Sequence, residues 1–142
     1  MRYTAVLFAT LVLAACGKAP VTRGDSQPVS PAVVAFLLTS AATDFHTHRP
    51  PAPVHFRDVH VGHVKTPGGE DQYMLCGQFV AGQESGGAEG TPFVTIKTSG
   101  YEQYVGAQAA TSYCQRPSVM WGKDDLSTSL QSRLDSLDRV GN

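Results

Sequence analysis

The order of apolar and polar positions predicts one helix before a group of strands and another after it. Across residues 31–43 apolar side chains recur at helical spacing, and Ser30 and Pro31 suit the first turn. The prolines at positions 50 and 51 exclude a helix there, so residues 44–53 are expected to leave it. Residues 123–140 repeat a leucine every three or four positions, which predicts a helix that packs on the sheet; these are Leu126, Leu130, Leu134 and Leu137.

The segments between these helices alternate as strands do. They are residues 54–64, 72–80, 92–98 and 101–105, separated by turns and a glycine-rich loop. The first segment changes the parity of its apolar positions midway, and a bulge near Asp58 would reconcile its two halves. The second is apolar on both faces, which predicts a central strand. Residues 106–112 allow either a bulge or a helical turn.

This order of elements predicts an α+β fold, with a small antiparallel sheet of about four strands flanked by an N-terminal and a C-terminal helix. Residues 31–142 are expected to form one globular domain. Residues 16–30 are mostly polar and contain two prolines, which indicates a flexible tether. Residues 1–15 have the apolar core of a signal peptide, shorter than the roughly 20 residues that a membrane span needs.

The apolar core of that leader ends with leucine and two alanines immediately before Cys16. The sequence LAAC at positions 13–16 resembles the lipobox of bacterial lipoproteins. The resemblance implies cleavage before Cys16, a lipid on its sulfur and an acyl chain such as palmitate on its amino group, which together anchor a protein stably. Gly17 follows instead of aspartate, so the expected location is the periplasmic face of the outer membrane.

The cysteine count predicts a disulfide bond. The chain has three cysteines, and assigning Cys16 to the lipid leaves Cys76 and Cys114 as a pair in an oxidising compartment. A bridge of this span contributes about 4 kcal/mol in the loop-entropy description. The alternative, a reactive thiol pair, lacks a C-x-x-C motif and a neighbouring cation that would lower a thiol pKa.

Three short stretches resemble small exported proteobacterial proteins of no established activity. These proteins have F-R-x-V, then a strand with C-G-E-x-N, then a glycine-rich loop and an aromatic strand. The chain has FRDV at 56–59, LCGQF at 75–79 and FV at 93–94, and it departs from the pattern at Gln78 and Val80. The resemblance implies a sheet with a disulfide-bearing strand and no particular function.

Charge and motifs exclude several classes of function. The formal net charge of −1 comes without a basic stripe, so nucleic acid is not an expected partner. The sequence has neither a G-x-S-x-G motif nor a recognisable catalytic triad. We therefore expect a protein that is not an enzyme and needs no cofactor.

The histidines offer an alternative, a metal-binding or small-ligand-binding lipoprotein. His46 and His48, if they lay on a strand, would point to one face, and His60 or His63 would supply a third ligand. His60 and His63 are three residues apart and point opposite ways on a strand unless a bulge intervenes.

The aromatic residues after the third strand are the candidates for partner binding. Tyr101, Tyr104 and Trp121 suit either core packing or a protein-binding face, where tyrosine and tryptophan are enriched. With the lipobox, they predict a lipid-anchored, non-enzymatic envelope protein that binds another envelope protein. Such a module serves either in an envelope assembly or as an immunity-type inhibitor of a toxin.

Overall fold

The chain folds into an α+β domain, which confirms the predicted fold class. The computed structural model describes residues 28–48, 50, 52–82 and 89–141. Cys16 and most of the expected tether therefore lie outside the described residues. The elements in chain order are α1 (Pro31–His48), β1 (Val54–Lys65), β2 (Asp71–Ala81), β3 (Thr91–Lys97), β4 (Tyr101–Val105), α2 (Ala107–Ala109) with a π-helical turn (Ala110–Cys114), β5 (Met120–Trp121) and α3 (Ser127–Val140).

The five strands form one antiparallel sheet in the order β4-β3-β2-β1-β5. The second strand lies in the middle, as its two apolar faces predict. The sequence did not predict β5, because a strand of two residues is too short to show alternation. Residues 106–112, left open between a bulge and a helical turn, lie in α2 and the π-helical turn.

One face of the sheet, the helix face, is covered by α1 and α3. Leu37 and Ala41 of α1 and Leu130 of α3 are fully buried there, and the edge of the Phe45 ring meets three other phenylalanine rings. Those rings belong to Phe56, Phe79 and Phe93, with centroids 4.9–5.1 Å from that of Phe45. The predicted packing of the C-terminal helix on the sheet is thus confirmed.

The helix α1 is longer than the sequence predicts. It was expected to end at Thr43 but continues to His48. Phe45 explains the difference, because its burial among the sheet's aromatic rings stabilises a further turn of helix. The prolines at 50 and 51 still prevent the helix from continuing much further.

The helix α3 begins later than expected, at Ser127 instead of Lys123. Residues 122–126 instead follow the outer edge of β1: Gly122 N donates to Val61 O at 2.8 Å, and Leu126 N to Val59 O at 2.7 Å. Asp125 then accepts a hydrogen bond from Ser127 N at 2.8 Å, at the start of the helix. Backbone pairing with β1 has therefore prevailed over the helical leucine spacing in this segment.

A bulge interrupts β1 at the position that the parity change predicts. Arg57 pairs with Gln78 and His60 with Cys76, so Asp58 and Val59 face a single residue of β2. Asp58 has a φ of 52°, in the left-handed region. Within the described part of the chain, no helix is both long enough and apolar enough to cross a membrane.

Candidate functional site

The disulfide pair attaches the segment after β4 to the middle of the sheet. The sulfurs of Cys76 and Cys114 lie 2.00 Å apart, with the Cα atoms 6.0 Å apart and 38 residues between the two positions in sequence. This is the distance of the disulfide bond that the cysteine count predicts. Cys114 ends the π-helical turn, so the bond fixes residues 107–114 over the second face of the sheet, the disulfide face.

The strand register assigns the candidate aromatic residues to different faces. Tyr104 pairs with Val94, which belongs to the buried cluster around Cys76, so its side chain lies on the disulfide face. Tyr101 pairs with Lys97, whose ammonium lies 5.2 Å from the ring centroid of Phe36 in α1, on the helix face. Residues three apart on a strand point opposite ways. Tyr101 therefore does not join the surface that includes Tyr104.

Tyr104 is a supported but accessible ring on the disulfide face. It is 40% exposed and stacks on Tyr113 with ring centroids 5.8 Å apart and an interplanar angle of 12°. Its hydroxyl donates to Glu102 Oε2 at 2.6 Å. That hydrogen bond, together with the negative charge of Glu102, raises the pKa of Tyr104. The ring is thus held in one orientation while part of it meets solvent.

Trp121 also lies on the disulfide face, because it pairs with Gly62, which in turn pairs with buried Met74. The indole is 39% exposed and rests directly on Gly62. A Cβ at position 62 would lie 2.8 Å from two atoms of the indole, Cε3 and Cζ3. The missing side chain of Gly62 is therefore what allows the indole to lie against the sheet.

A groove of about 440 Å³ lies on the disulfide face between Trp121 and the π-helical turn. The disulfide and neighbouring residues of β1 and β2 line it, together with Gln115 and Trp121. The polar side chains that line the groove are those of Asp58, His60, Gln78 and Gln115.

The bulge in β1 contributes directly to this groove. Asp58, the residue in the left-handed conformation, is one of its lining residues, and Gly77 opposite the bulge is another. A Cβ on Gly77 would lie 2.7 Å from Cγ2 of Val59, so only glycine permits this close approach. Val59 N in turn donates to the Ser127 hydroxyl at 3.2 Å, which connects the bulge to the start of α3.

The histidines are distributed over the molecule. The sequence hypothesis placed His46 and His48 on a strand, but both lie in the last turn of α1. There His46 Nδ1 lies 2.7 Å from Asp138 Oδ1, and His48 Nδ1 lies 3.5 Å from Asp44 Oδ1. The described ranges contain no group of three or more His, Cys, Asp or Glu side chains that could hold a metal ion.

The two candidate histidines of β1, His60 and His63, lie in different surroundings. His60 lines the groove, whereas His63 is buried on the helix face, with its ring centroid 5.8 Å from that of Tyr73. They occupy opposite faces because both follow the bulge, where side chains alternate regularly, and residues three apart then point opposite ways. Of the four candidate ligands, His60 alone is placed where a small molecule can meet it in the groove.

Sequence reasoning identified Trp121, His60 and the cysteines but missed the other polar residues of the groove. Asp58 lies in β1, Gln78 in β2 and Gln115 directly after the π-helical turn, and they form no motif. Only the strand register and the disulfide bring them together. Comparison with known proteins gives no match to a protein family, a curated protein or a solved structure.

Proposed function

We propose that this chain is a lipid-anchored protein of the bacterial cell envelope that binds another envelope protein through its disulfide face. It acts without catalysis, either in an envelope assembly or as an immunity-type inhibitor. The lipobox at 13–16 supports the anchor, by default at the periplasmic face of the outer membrane. The cysteine pair at bonding distance supports an oxidising compartment.

The observation that supports protein binding most directly is the pair of half-exposed aromatic rings on one face. Tyr104 is 40% and Trp121 is 39% exposed, and each is supported from beneath, by Tyr113 and by Gly62 respectively. Large aromatic side chains held in one orientation lose little conformational freedom when a partner covers them, and they are enriched at interface hot spots.

The experiment that tests this function compares Tyr104→Ala and Trp121→Ala with Tyr101→Ala in cross-linking and affinity capture from envelopes. Tyr101→Ala is a matched control, since it removes the same side chain as Tyr104→Ala from the opposite face of the same strand. Loss of an interface anchor costs about 2 kcal/mol or more, roughly thirtyfold in affinity. We expect the two variants on the disulfide face to lose a captured protein and Tyr101→Ala to retain it.

Thermal unfolding of the same variants separates an interface role from a structural one. Truncation of a core aromatic costs about 3–5 kcal/mol in stability. Similar loss of stability in Tyr104→Ala and Trp121→Ala, without selective loss of a partner, would contradict the proposed function.

The groove supports a second candidate function, the binding of a small ligand with His60 among the contacts. Its volume of about 440 Å³ falls in the range of small-molecule sites, roughly 300–1,000 Å³. Its lining combines an aromatic wall with a few polar side chains, which is the usual composition of such sites. A ligand that raises the unfolding temperature of the purified protein without any protein partner would support this candidate.

A further inference from the structure

We propose that the groove beside Trp121 binds an uncharged saccharide. This inference rests on the second candidate function, small-ligand binding, and is independent of a protein partner at Tyr104. It follows from the kinds of side chain that line the groove and from the hydrogen bonds that the backbone of its floor already makes.

The side chains that line the groove disfavour an anionic ligand, and Arg57, which pairs with Gln78 on the same face, is not one of them. Among the described residues that line it there is no lysine or arginine, the side chains that hold phosphates and carboxylates by charge-assisted hydrogen bonds. Asp58 contributes a carboxylate, which would repel an anion. A neutral ligand avoids that repulsion.

The polar side chains of the groove match a ligand that both donates and accepts hydrogen bonds. Gln78 and Gln115 each present a carboxamide, which donates through nitrogen and accepts through oxygen, while Asp58 accepts. Sugar hydroxyl groups also donate and accept. Neither glutamine side chain is engaged in a hydrogen bond with another described residue, so binding would not require an existing bond to break.

Trp121 supplies the apolar surface that such a ligand needs. A pyranose ring carries C–H groups on its faces between its hydroxyls, and an indole offers a broad apolar plane for them. Because the indole rests on Gly62, it forms a firm wall of the groove. A polar, uncharged ring with an apolar face therefore matches both the hydrogen-bonding side chains and the indole of the groove.

An extended peptide fits this groove less well. Peptides commonly bind by adding a strand to an open sheet edge, which gives them main-chain hydrogen bonds. The floor of the groove belongs to β1 and β2. β2 is paired with β1 and β3, whereas β1 pairs with β5 only at Gly62 and His63. The nearby carbonyls of Val59 and Val61 already accept from Leu126 N and Gly122 N. Recognition here must therefore come from side chains.

The test uses the fluorescence of Trp121, the one tryptophan of the chain. The full-length protein, purified in a polyoxyethylene detergent that carries no sugar, is titrated with two neutral probes, the trimer of N-acetylglucosamine and maltotriose. At least one probe is expected to change the emission saturably, with a dissociation constant of about 1 mM or tighter. Calorimetry of the same titration provides a second signal, which also serves for Trp121→Ala.

Two substitutions place the binding in the groove. Gln78→Ala and Gln115→Ala each remove one hydrogen-bonding group and are expected to weaken the binding of the responding probe about threefold to tenfold. Gln108→Ala is the matched control, since Gln108 is exposed in α2, shortly before the π-helical turn that leads to Gln115, but does not line the groove. Trp121→Ala is expected to abolish the calorimetric signal.

Three results would overturn the inference. The first is no saturable response to either trisaccharide at a concentration about tenfold above 1 mM, the expected dissociation constant. The second is binding that Gln78→Ala and Gln115→Ala leave unchanged. The third is displacement of the bound probe only by peptides. Tyr104→Ala distinguishes a failure of saccharide binding from a failure of protein binding. It is expected to lose a protein partner while it retains the saccharide, because Tyr104 does not line the groove.

Discussion

Gly62 determines where the indole of Trp121 lies, so a single methyl group there has a large expected effect. The added Cβ of Gly62→Ala would lie 2.8 Å from the indole and 2.7 Å from Cγ1 of Val119. We expect a loss of about 1–3 kcal/mol in the free energy of unfolding, because the neighbours must shift to relieve the overlap. Chemical denaturation measures the loss, and the emission spectrum reports the displaced tryptophan.

The control for this substitution is Gly100→Ala. A Cβ at position 100 has no atom within 4 Å, so the same chemical change meets open space. An equal loss of stability at both positions would show that close packing under the indole is not the cause.

We expect Asp125 to make the stability of the protein depend on pH. Hydrogen bonds from the hydroxyl and amide of Ser127 lower the pKa of Asp125. A carboxyl whose pKa is lower in the folded state contributes stability above its unfolded pKa and loses that contribution as the pH falls through the folded value. Asp125→Asn should therefore lower stability near neutral pH and flatten the decline at acid pH.

Denaturation curves at several pH values, from neutral to about pH 3, measure this effect. Asp124→Asn makes the same change in charge at the neighbouring position without removing these hydrogen bonds. If the two variants gave the same dependence of stability on pH, the hydrogen bonds to Ser127 would not be its source.

At the scale of elements, the bulge in β1 depends on the backbone conformation of Asp58. Its φ of 52° suits glycine, is tolerated by aspartate and is strained for a β-branched residue. Asp58→Val is expected to lower the free energy of unfolding by about 1–3 kcal/mol, whereas Asp58→Gly should leave it nearly unchanged. Thermal unfolding of the two variants tests this, and an equal loss in both would indicate that the carboxylate matters more than the conformation.

The sequence predicted those elements whose pattern is local. The parity change in β1 indicated the bulge, and two apolar faces identified β2 as central. The end of α1 and the start of α3 were not predicted, because each depends on distant contacts: the burial of Phe45 among other rings, and the hydrogen bond from Leu126 to Val59. Sequence periodicity contains no information on either contact.

The candidate site was predictable only in part for the same reason. Cysteine counting paired Cys76 with Cys114, and aromatic enrichment drew attention to Trp121. Grouping Tyr101 with Tyr104 neglected strand alternation, which places them on opposite faces. The carboxamides of the groove come from elements far apart in sequence, so only the register and the disulfide reveal them as neighbours.

For the whole molecule, the lipid anchor is the first prediction to test. Cys16→Ser removes the thiol that the proposed lipidation requires. We expect the unprocessed chain to accumulate at the mass of the precursor, and no mature form to fractionate with outer membranes. Fractionation and intact-mass measurement decide this. A variant that reaches the mature mass and remains membrane-bound would require a different anchor.

The disulfide is expected to supply a substantial part of the domain's stability. The double variant Cys76→Ala, Cys114→Ala should lose about 2–5 kcal/mol, the usual range for a native bridge in a small secreted domain. Because the bond fixes residues 107–114 over the sheet, the variant should also make that segment more accessible to proteolysis. Free thiols that alkylate readily in protein isolated from envelopes would contradict the assigned bond.

The contact between α1 and α3 has a consequence for biogenesis. These two helices are the first and last elements of the domain, yet their apolar side chains share one core. Since synthesis proceeds from the amino end, the side of α1 that packs on α3 stays uncovered until α3 has emerged, even where the sheet already covers Phe45. A nascent chain therefore exposes the apolar surface of α1 that packs on α3 until α3 has been made. Chains interrupted before Ser127 should aggregate or be degraded instead of forming a smaller stable domain.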